Sequence, residues 1–275
     1  MKVLATGATG TYAHHVVAAL TAQGVEVRGA VRDPDKTDDA RQAGAAETVG
    51  LDLTDTGSVA DALRGVDGVF LITPAFHPDA TTMALNVVTA AADAGVGKIV
   101  YNGVYHPSLS LPNHAGTRPI EEALYASDLD FTILQPAMYV QALAETYQDA
   151  LQTGAVVAPW SMHSKMTYVD YRDVAEVAAL AFTDPRLARG TFELAAGGMV
   201  DRTEIAEMMS GVAGRKLEAA DIDEVPPGPD GLAVMFADYD RVGFHGGNSI
   251  VLQAILQRSP RSVADFIAEL GRPPD

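Results

Sequence analysis

Short, almost wholly apolar runs of β-forming residues alternate with longer segments of helical period along the first two-thirds of this chain, and that alternation leaves few folds open. The apolar runs are Lys2–Thr6, Val25–Val31, Glu47–Leu51, Gly68–Thr73, Lys98–Tyr101, Phe131–Gln135 and Thr191–Leu194. Between them, Ala13, Val16, Val17 and Leu20 line one face of a first helix that stops at Gly24. Ser58–Leu63, Ala80–Ala94, Ile120–Ala126 and Arg172–Phe182 follow the same spacing. A strand that is apolar on both faces needs cover on both faces. Repeated β–α alternation with such strands predicts a parallel, doubly wound α/β sheet with helices on either side.

The tail reads differently. Asp201 and Glu204 are spaced as a capping box opening a helix that runs to Ala213-Gly214. Arg215–Asp223 suits an edge strand, Val225–Gly231 is a Pro/Gly connector, and after short helical pieces a last helix opens at Ser259-Pro260. Met138–Ser164 and the tail are expected to form a small C-terminal α+β lobe over the C-terminal edge of the sheet. The expected division is residues 1–137 with 165–198 for the sheet and 138–164 with 199–275 for the lobe.

Composition excludes several functions. The chain has 275 residues and a formal charge of −17, from 19 Lys and Arg against 36 Asp and Glu. Nucleic-acid affinity needs clustered cations, so none is expected directly. No apolar run approaches the roughly 18 residues of a membrane span, so no membrane association is expected. Met1-Lys2-Val3-Leu4 enters strand-like sequence at once, and there is no Cys for disulfides, thiol catalysis or a thiolate metal site; the expected location is cytoplasmic.

The strongest chemical signal is Gly7-Ala8-Thr9-Gly10-Thr11-Tyr12-Ala13, directly after the first strand and opening the first helix. Gly7 and Gly10 permit a tight turn and close backbone approach to a pyrophosphate, small Ala13 lets helix and strand pack closely, and the helix N-terminus offers N–H groups to the anion. In a chain of repeating βα units this predicts a dinucleotide-binding Rossmann core. The second strand ends in Ala30-Val31-Arg32-Asp33-Pro34-Asp35-Lys36. An NAD site usually places Asp or Glu there for the ribose hydroxyls, whereas Arg32, supported by Lys36, suits a 2′-phosphate and hence NADP(H). The alternative is an Arg32 paired to Asp33 or Asp35. Asp52, after the third strand, either accepts from the adenine amino group or caps the turn that follows it.

With that loop, Arg32 and Gly68-Val69-Phe70-Leu71-Ile72-Thr73-Pro74, the chain resembles the NmrA-like family of atypical short-chain dehydrogenases/reductases. The likeness continues through Lys98–Tyr101, Phe131–Ala137 and Tyr168-Val169-Asp170-Tyr171-Arg172-Asp173-Val174-Ala175, and returns in Arg258-Ser259-Pro260-Arg261-Ser262-Val263-Ala264-Asp265-Phe266. The resemblance implies an NADP(H)-binding Rossmann core with a small substrate lobe. It places Thr73, Pro74, Asn102, Gly103 and Pro136 near the nicotinamide, beside Gly7, Thr9, Gly10, Thr11 and Tyr12 at the phosphates. The family holds quinone, phenolic-ring and enone reductases, and also members that sense NADP without turnover.

The chain departs from its relatives at the catalytic positions. None of Tyr101, Tyr105, Tyr125 or Tyr139 has a Lys four residues on, so the usual Tyr-x-x-x-Lys pair is missing. Where relatives often carry Ser and Lys, this chain has Gly103 and Thr117, and the lysine role is vacant unless Arg118 reaches in. Arg cannot release a proton and so can only stabilise negative charge there. His114 is the candidate proton donor, since histidine titrates near neutrality, and Tyr105 the candidate to hold the substrate oxygen. The alternative for both is a solvated loop. His14 and His15, adjacent on a helix, are expected to point apart, and no histidine spacing suggests a metal. Met138, Tyr139, Trp160 and Met162 are candidates for an apolar lining, while Asp170 and Asp173 are expected to cap and orient the helix at Arg172.

Three functions fit this reading. The leading one is an NADPH-dependent reductase of a small apolar or aromatic carbonyl, enone or quinone, and a quinone suits a site poor in acids. The second is an NADP(H)-sensing regulator without turnover, acting through a protein partner. The third is a non-redox isomerase or epimerase on the same fold. A homodimer is compatible with each.

Overall fold

The expected apolar runs become the strands of one seven-stranded sheet, ordered 3-2-1-4-5-6 as in a dinucleotide-binding core with one further strand beyond the sixth. The computed structural model describes residues 1–222, 227–229 and 231–272. In chain order the first half comprises β1 (Lys2–Ala5), α1 (Ala13–Ala22), β2 (Glu26–Val31), α2 (Thr37–Gln42), β3 (Glu47–Gly50), α3 (Thr56–Ala62), β4 (Gly68–Leu71) and α4 (Ala80–Asp93). There follow β5 (Lys98–Asn102), α5 (Pro112–Ala115), α6 (Arg118–Ala126), β6 (Asp130–Pro136), β7 (Met138–Tyr139), α7 (Ala142–Thr153), β8 (Ala155–Ala158) and β9 (Tyr168–Val169). The remainder is α8 (Tyr171–Thr183), β10 (Gly190–Leu194), α9 (Arg202–Ala213), β11 (Glu218–Asp221), α10 (Leu232–Val242), α11 (Ile250–Leu256) and α12 (Val263–Leu270).

The chain divides into two units, Met1–Gln135 with Val174–Glu193, and Pro136–Asp173 with Leu194–Asp275. In the first, β1 pairs in parallel with β2 and β4, β2 with β3, β4 with β5 and β5 with β6. The inner strands are buried along nearly their whole length, whereas edge strand β3 is only half-buried and β10 alternates. Doubly covered strands are thus confined to the middle of the sheet. One core layer sets Leu4, Val69, Leu71, Ile99, Tyr101, Phe131 and Ile133 against Val59, Val87, Val88, Ile120 and Leu124 of the helices. Opposite-charge pairs join neighbouring strands, with Lys98 3.0 Å from Asp130 and Arg28 2.7 Å from Glu47.

The second unit holds two short parallel pairs, β7 with β9 and β8 with β11. Residues 136–137, 165–173 and 194–198, expected with the sheet, fall in this unit, where β9 pairs with β7 and Met166 bridges to Val200 and Phe244. Two distant parts of the quoted likeness meet here. The fully buried carboxylate of Asp173 accepts from the Arg258 guanidinium at 2.7 Å, from the Arg261 main-chain N–H at 2.7 Å, and from the Arg261 side chain. Asp170 caps α8, accepting from the Arg172 N–H at 2.9 Å, and pairs with the Arg172 side chain. Asp170 therefore has the expected capping role, while Asp173 anchors the chain's last segment.

The capping box of Asp201 and Glu204 is formed. The last helix instead opens three residues later than expected, at Ser262, which forms its own capping box with Asp265. The edge strand is the shorter β11, and Asp223, Val225, Pro226 and Asp230 of the expected strand and connector lie outside the described residues.

Candidate active site

Sheet order reverses between β1 and β4, and open α/β sheets bind ligands outside the strand ends at such a switch point. Thr6 ties those two ends together: its Oγ1 donates to the Ile72 carbonyl at 2.8 Å and accepts from the Ile72 N–H at 2.8 Å. Gly7 then adopts a left-handed φ of 63°, and the Gly10 N–H closes the turn on the Gly7 carbonyl at 2.8 Å. A Cβ on Gly10 would stand 3.1 Å from that same carbonyl oxygen, so a side chain there crowds the turn. Gly7, Gly10 and Thr11 are exposed, and Thr9 and Tyr12 are half-buried. Tyr12 is the N-cap of α1 but makes no side-chain cap, and the first turn of α1 has no acid. The partial positive charge of the helix N-terminus is thus left for an external anion. His14 turns its Nδ1 to within 3.1 Å of the Gly10 carbonyl, and its ring lies 3.9 Å from that of His15. The two histidines do not point apart as expected, because this reach back to Gly10 folds one ring against the other.

Arg32 is exposed immediately after β2 and makes no hydrogen bond or ion pair among the described residues. The alternative pairing with Asp33 is not formed, since that carboxylate accepts from the Asp35 N–H at 3.0 Å as cap of a short turn over Pro34–Lys36. Lys36 is exposed at the end of this turn. Asp52 takes the capping role of its two readings: its Oδ1 accepts from the Thr54 hydroxyl at 2.7 Å and the Thr54 N–H at 2.9 Å. Those bonds, the hydroxyl first, hold its carboxyl below the usual carboxylate range, and the charge of Arg32 adds to the effect.

At the other strand ends, Thr73 is half-buried and Pro74 exposed after β4, Asn102 is buried at the end of β5, and Pro136 is buried at the end of β6. Gly103 donates its N–H to the Leu134 carbonyl at 2.8 Å. A Cβ there would lie 3.1 Å from Cε1 of Tyr101, so a serine at this position requires the Tyr101 ring to give way. Thr117 spends its hydroxyl on the His114 carbonyl at 2.8 Å. Arg118 donates to the carbonyls of Pro107, Ser108 and Leu109 at 2.6, 2.8 and 2.5 Å. Its guanidinium staples that loop and does not take the vacant lysine role.

Tyr105 and His114 are not solvated. Tyr105 is buried, its ring lies 3.9 Å from that of His106, and burial, with the charge of Glu193, pushes its phenol up, so it keeps its proton. His114 is fully buried on α5, its Nδ1 3.2 Å from the His106 carbonyl. A carbonyl only accepts, so Nδ1 carries the proton, and a neutral imidazole so fixed presents a lone pair on its other nitrogen.

Glu121, a glutamate one turn into a helix, has the sequence signature of a surface residue. It is 7% exposed and accepts from Nε2 of Gln135 at 2.8 Å. Burial pushes its carboxyl above the usual range, with the Gln135 bond acting in the opposite sense.

The second unit has its own cavities, one of about 140 Å³ and one of about 70 Å³. Both are smaller than the roughly 300 Å³ and upward of most small-molecule sites. Met138 and Trp160 line the smaller beside Tyr168 and Arg202, whereas Tyr139 packs edge-on against Tyr171 and Met162 borders neither. Among the described residues no group of His, Asp and Glu is placed to hold a metal ion.

Comparison with known proteins agrees with this fold. The chain is 29% identical over 215 residues to an NAD(P)H azoreductase of Xenophilus azovorans, covering 78% of this chain and 74% of that one. It is 26% identical to quinone oxidoreductase 2 of Escherichia coli, covering 96% and 97%. The crystal structure of the Citrobacter triphenylmethane reductase complexed with NADP(H) superposes with a TM-score of 0.84 at 23% identity, covering 98% of this chain and all of that one. The NmrA-like family model matches residues 1–226, and the chain belongs to that family.

Proposed function

We propose that this protein is an NADPH-dependent reductase of small, apolar, conjugated acceptors: quinones first, then enones and aldehydes. The observation that carries this reading is Arg32, exposed after β2 with no hydrogen bond or ion pair among the described residues, beside an Asp33 carboxylate that accepts from the Asp35 N–H. Gly7, Thr9, Gly10, Thr11 and Tyr12 would hold the pyrophosphate, Arg32 and Lys36 the 2′-phosphate, and Thr73, Pro74, Asn102, Gly103 and Pro136 the nicotinamide end. The turn fits the group, because Gly10 brings no side chain into a turn already closed on the Gly7 carbonyl and the N-terminus of α1 has no acid of its own. When bound, the reduced nicotinamide supplies the hydride. Tyr105, which keeps its proton, donates a hydrogen bond to the substrate oxygen. His114, with its Nδ1 proton on the His106 carbonyl, positions that loop. The relatives' names, for azo, quinone and triphenylmethane acceptors, support electron-poor conjugated substrates.

Mixing the protein with NADPH and a panel of quinones and enones should speed the loss of reduced-nicotinamide absorbance. The second reading, an NADP(H) sensor acting through a protein partner, is favoured by Gly103, Thr117 and an Arg118 spent on carbonyls. Tight NADPH binding with no turnover across the panel would replace the first reading with the second. No helix among the described residues is long and apolar enough to cross a membrane, and we place the protein in the cytoplasm on its lack of Cys.

A further inference from the structure

We propose that Glu121 is the proton donor of this reduction, its carboxylic acid giving a proton to the substrate oxygen in the space beside Gly103. The inference rests on the reductase reading and supplies the acid that reading lacks.

Gly103 follows β5 and Gln135 lies next to the end of β6, so both stand at C-terminal strand ends, where open α/β sheets take their ligands. Glu121 reaches them from the first turn of α6. Its Oε1 would be 3.6 Å from a Cβ on Gly103, so the carboxyl borders the space that the missing side chain leaves half-open to solvent. Gln135 donates its amide to Oε1 at 2.8 Å. The amide only donates there, so the bond is met by a lone pair of Oε1 and leaves the carboxyl able to carry its proton.

The surroundings keep the acid neutral. β5 offers the Tyr101 ring, β6 the neutral amide of Gln135, and α4, which packs on α6, has Asp93 at its far end as its one charged residue. Arg118, on the same helix, is directed at the carbonyls of residues 107–109. A buried carboxyl without a cation holds its proton, as the upward displacement from burial indicates. In the step, the substrate carbon gains hydride with its electron pair, the C=O π pair moves to oxygen, and that oxygen takes the Glu121 carboxyl proton. Glu121 is left as a carboxylate, which solvent water reprotonates.

The acid form works, so the rate should fall as pH rises through the Glu121 pKa. Glu121→Gln keeps the shape and removes the proton. It should lower kcat on an enone by roughly a hundredfold to ten-thousandfold, abolish that alkaline limb, and leave NADPH affinity by calorimetry unchanged. A quinone needs little acid help and should be slowed far less; a merely structural role would slow both alike. Gln135→Leu removes a bond that favours the carboxylate, and should move the limb to higher pH. It also carries the test if Glu121→Gln does not fold. Infrared difference spectra should show a neutral-carboxyl band in the unmutated protein at neutral pH that Glu121→Gln lacks. An unchanged limb, equal slowing of both acceptors, or no such band would overturn the assignment. Failure of the reductase reading looks different: the unmutated protein then reduces no acceptor while the band persists.

Discussion

Replacing Arg32 with alanine separates cofactor choice from everything else the chain does. The side chain is exposed and makes no hydrogen bond or ion pair among the described residues, so its loss should cost the fold little. Against a bound 2′-phosphate it presents a planar fork of donors, and a hydrogen bond to a charged group contributes roughly 1.5–3 kcal/mol, or about ten- to a hundredfold in affinity. Three features push toward the lower end. The contact is open to solvent, Asp33, Asp35 and Asp52 lie close by, and the whole chain carries −17. Arg32→Ala should therefore weaken NADPH by roughly ten- to thirtyfold and leave NADH nearly unchanged, bringing the two close to equal. Arg32→Lys keeps the charge without the fork and should fall between. Calorimetry at low and high salt provides the assay. The preference for NADPH should shrink with salt, since the screening length falls from about 10 Å at 0.1 M to about 3 Å at 1 M. Equal NADPH and NADH affinities in the unmutated protein at low salt would refute the reasoning, as would an Arg32→Ala variant that loses both cofactors alike.

Three further outcomes follow from particular contacts. Gly10→Val puts a branched side chain 3.1 Å from the Gly7 carbonyl, and should abolish NADPH binding in calorimetry while the protein still folds with a lowered melting temperature; near-normal affinity would remove the phosphate-loop assignment. Asp173→Ala leaves Arg258 and Arg261 without their shared buried acceptor and should cost about 2–4 kcal/mol in denaturant unfolding, discounted because both arginines are about one-third exposed; a loss below about 1 kcal/mol would contradict that anchoring role. At Asp201, burial works against ionisation, but Lys165, the Thr203 hydroxyl and the Glu204 N–H outweigh it and hold the carboxyl at about 2. Its contribution is complete above the ordinary carboxylate pKa of about 3.9 and is lost as pH falls from there toward 2. Asp201→Asn keeps a helix-capping acceptor, so it should flatten the fall in stability across that acid window, and unfolding curves that keep the original slope would exclude the ion pair as its cause.

Much of the fold was legible because its signals are local. Val3 to Ala5 and Val69 to Leu71 announce buried strands by being apolar without interruption, and Val16, Val17 and Leu20 announce a helix by their spacing. β7 and β9 were not legible, because two-residue strands are too short to have a period and exist only by pairing with each other. In α7 the buried face is just Leu143, Tyr147 and Ala150 among polar neighbours, a stripe too thin to stand out.

The amino-acid sequence by itself determined the order of strands and helices, the glycine turn, Arg32 at the second strand's end, and the vacancy of the tyrosine–lysine pair. Each is carried by residue type and spacing within a few positions. Only the tertiary structure decided what the ionisable groups do, since a side chain's charge state depends on partners distant in sequence. Asp173 found its arginines 85 and 88 residues away. Arg118, free in sequence to replace a lysine, is drawn onto the carbonyls of residues 107–109. Packing buried both His114 and Glu121, and set the one against the His106 carbonyl and the other against the Gln135 amide.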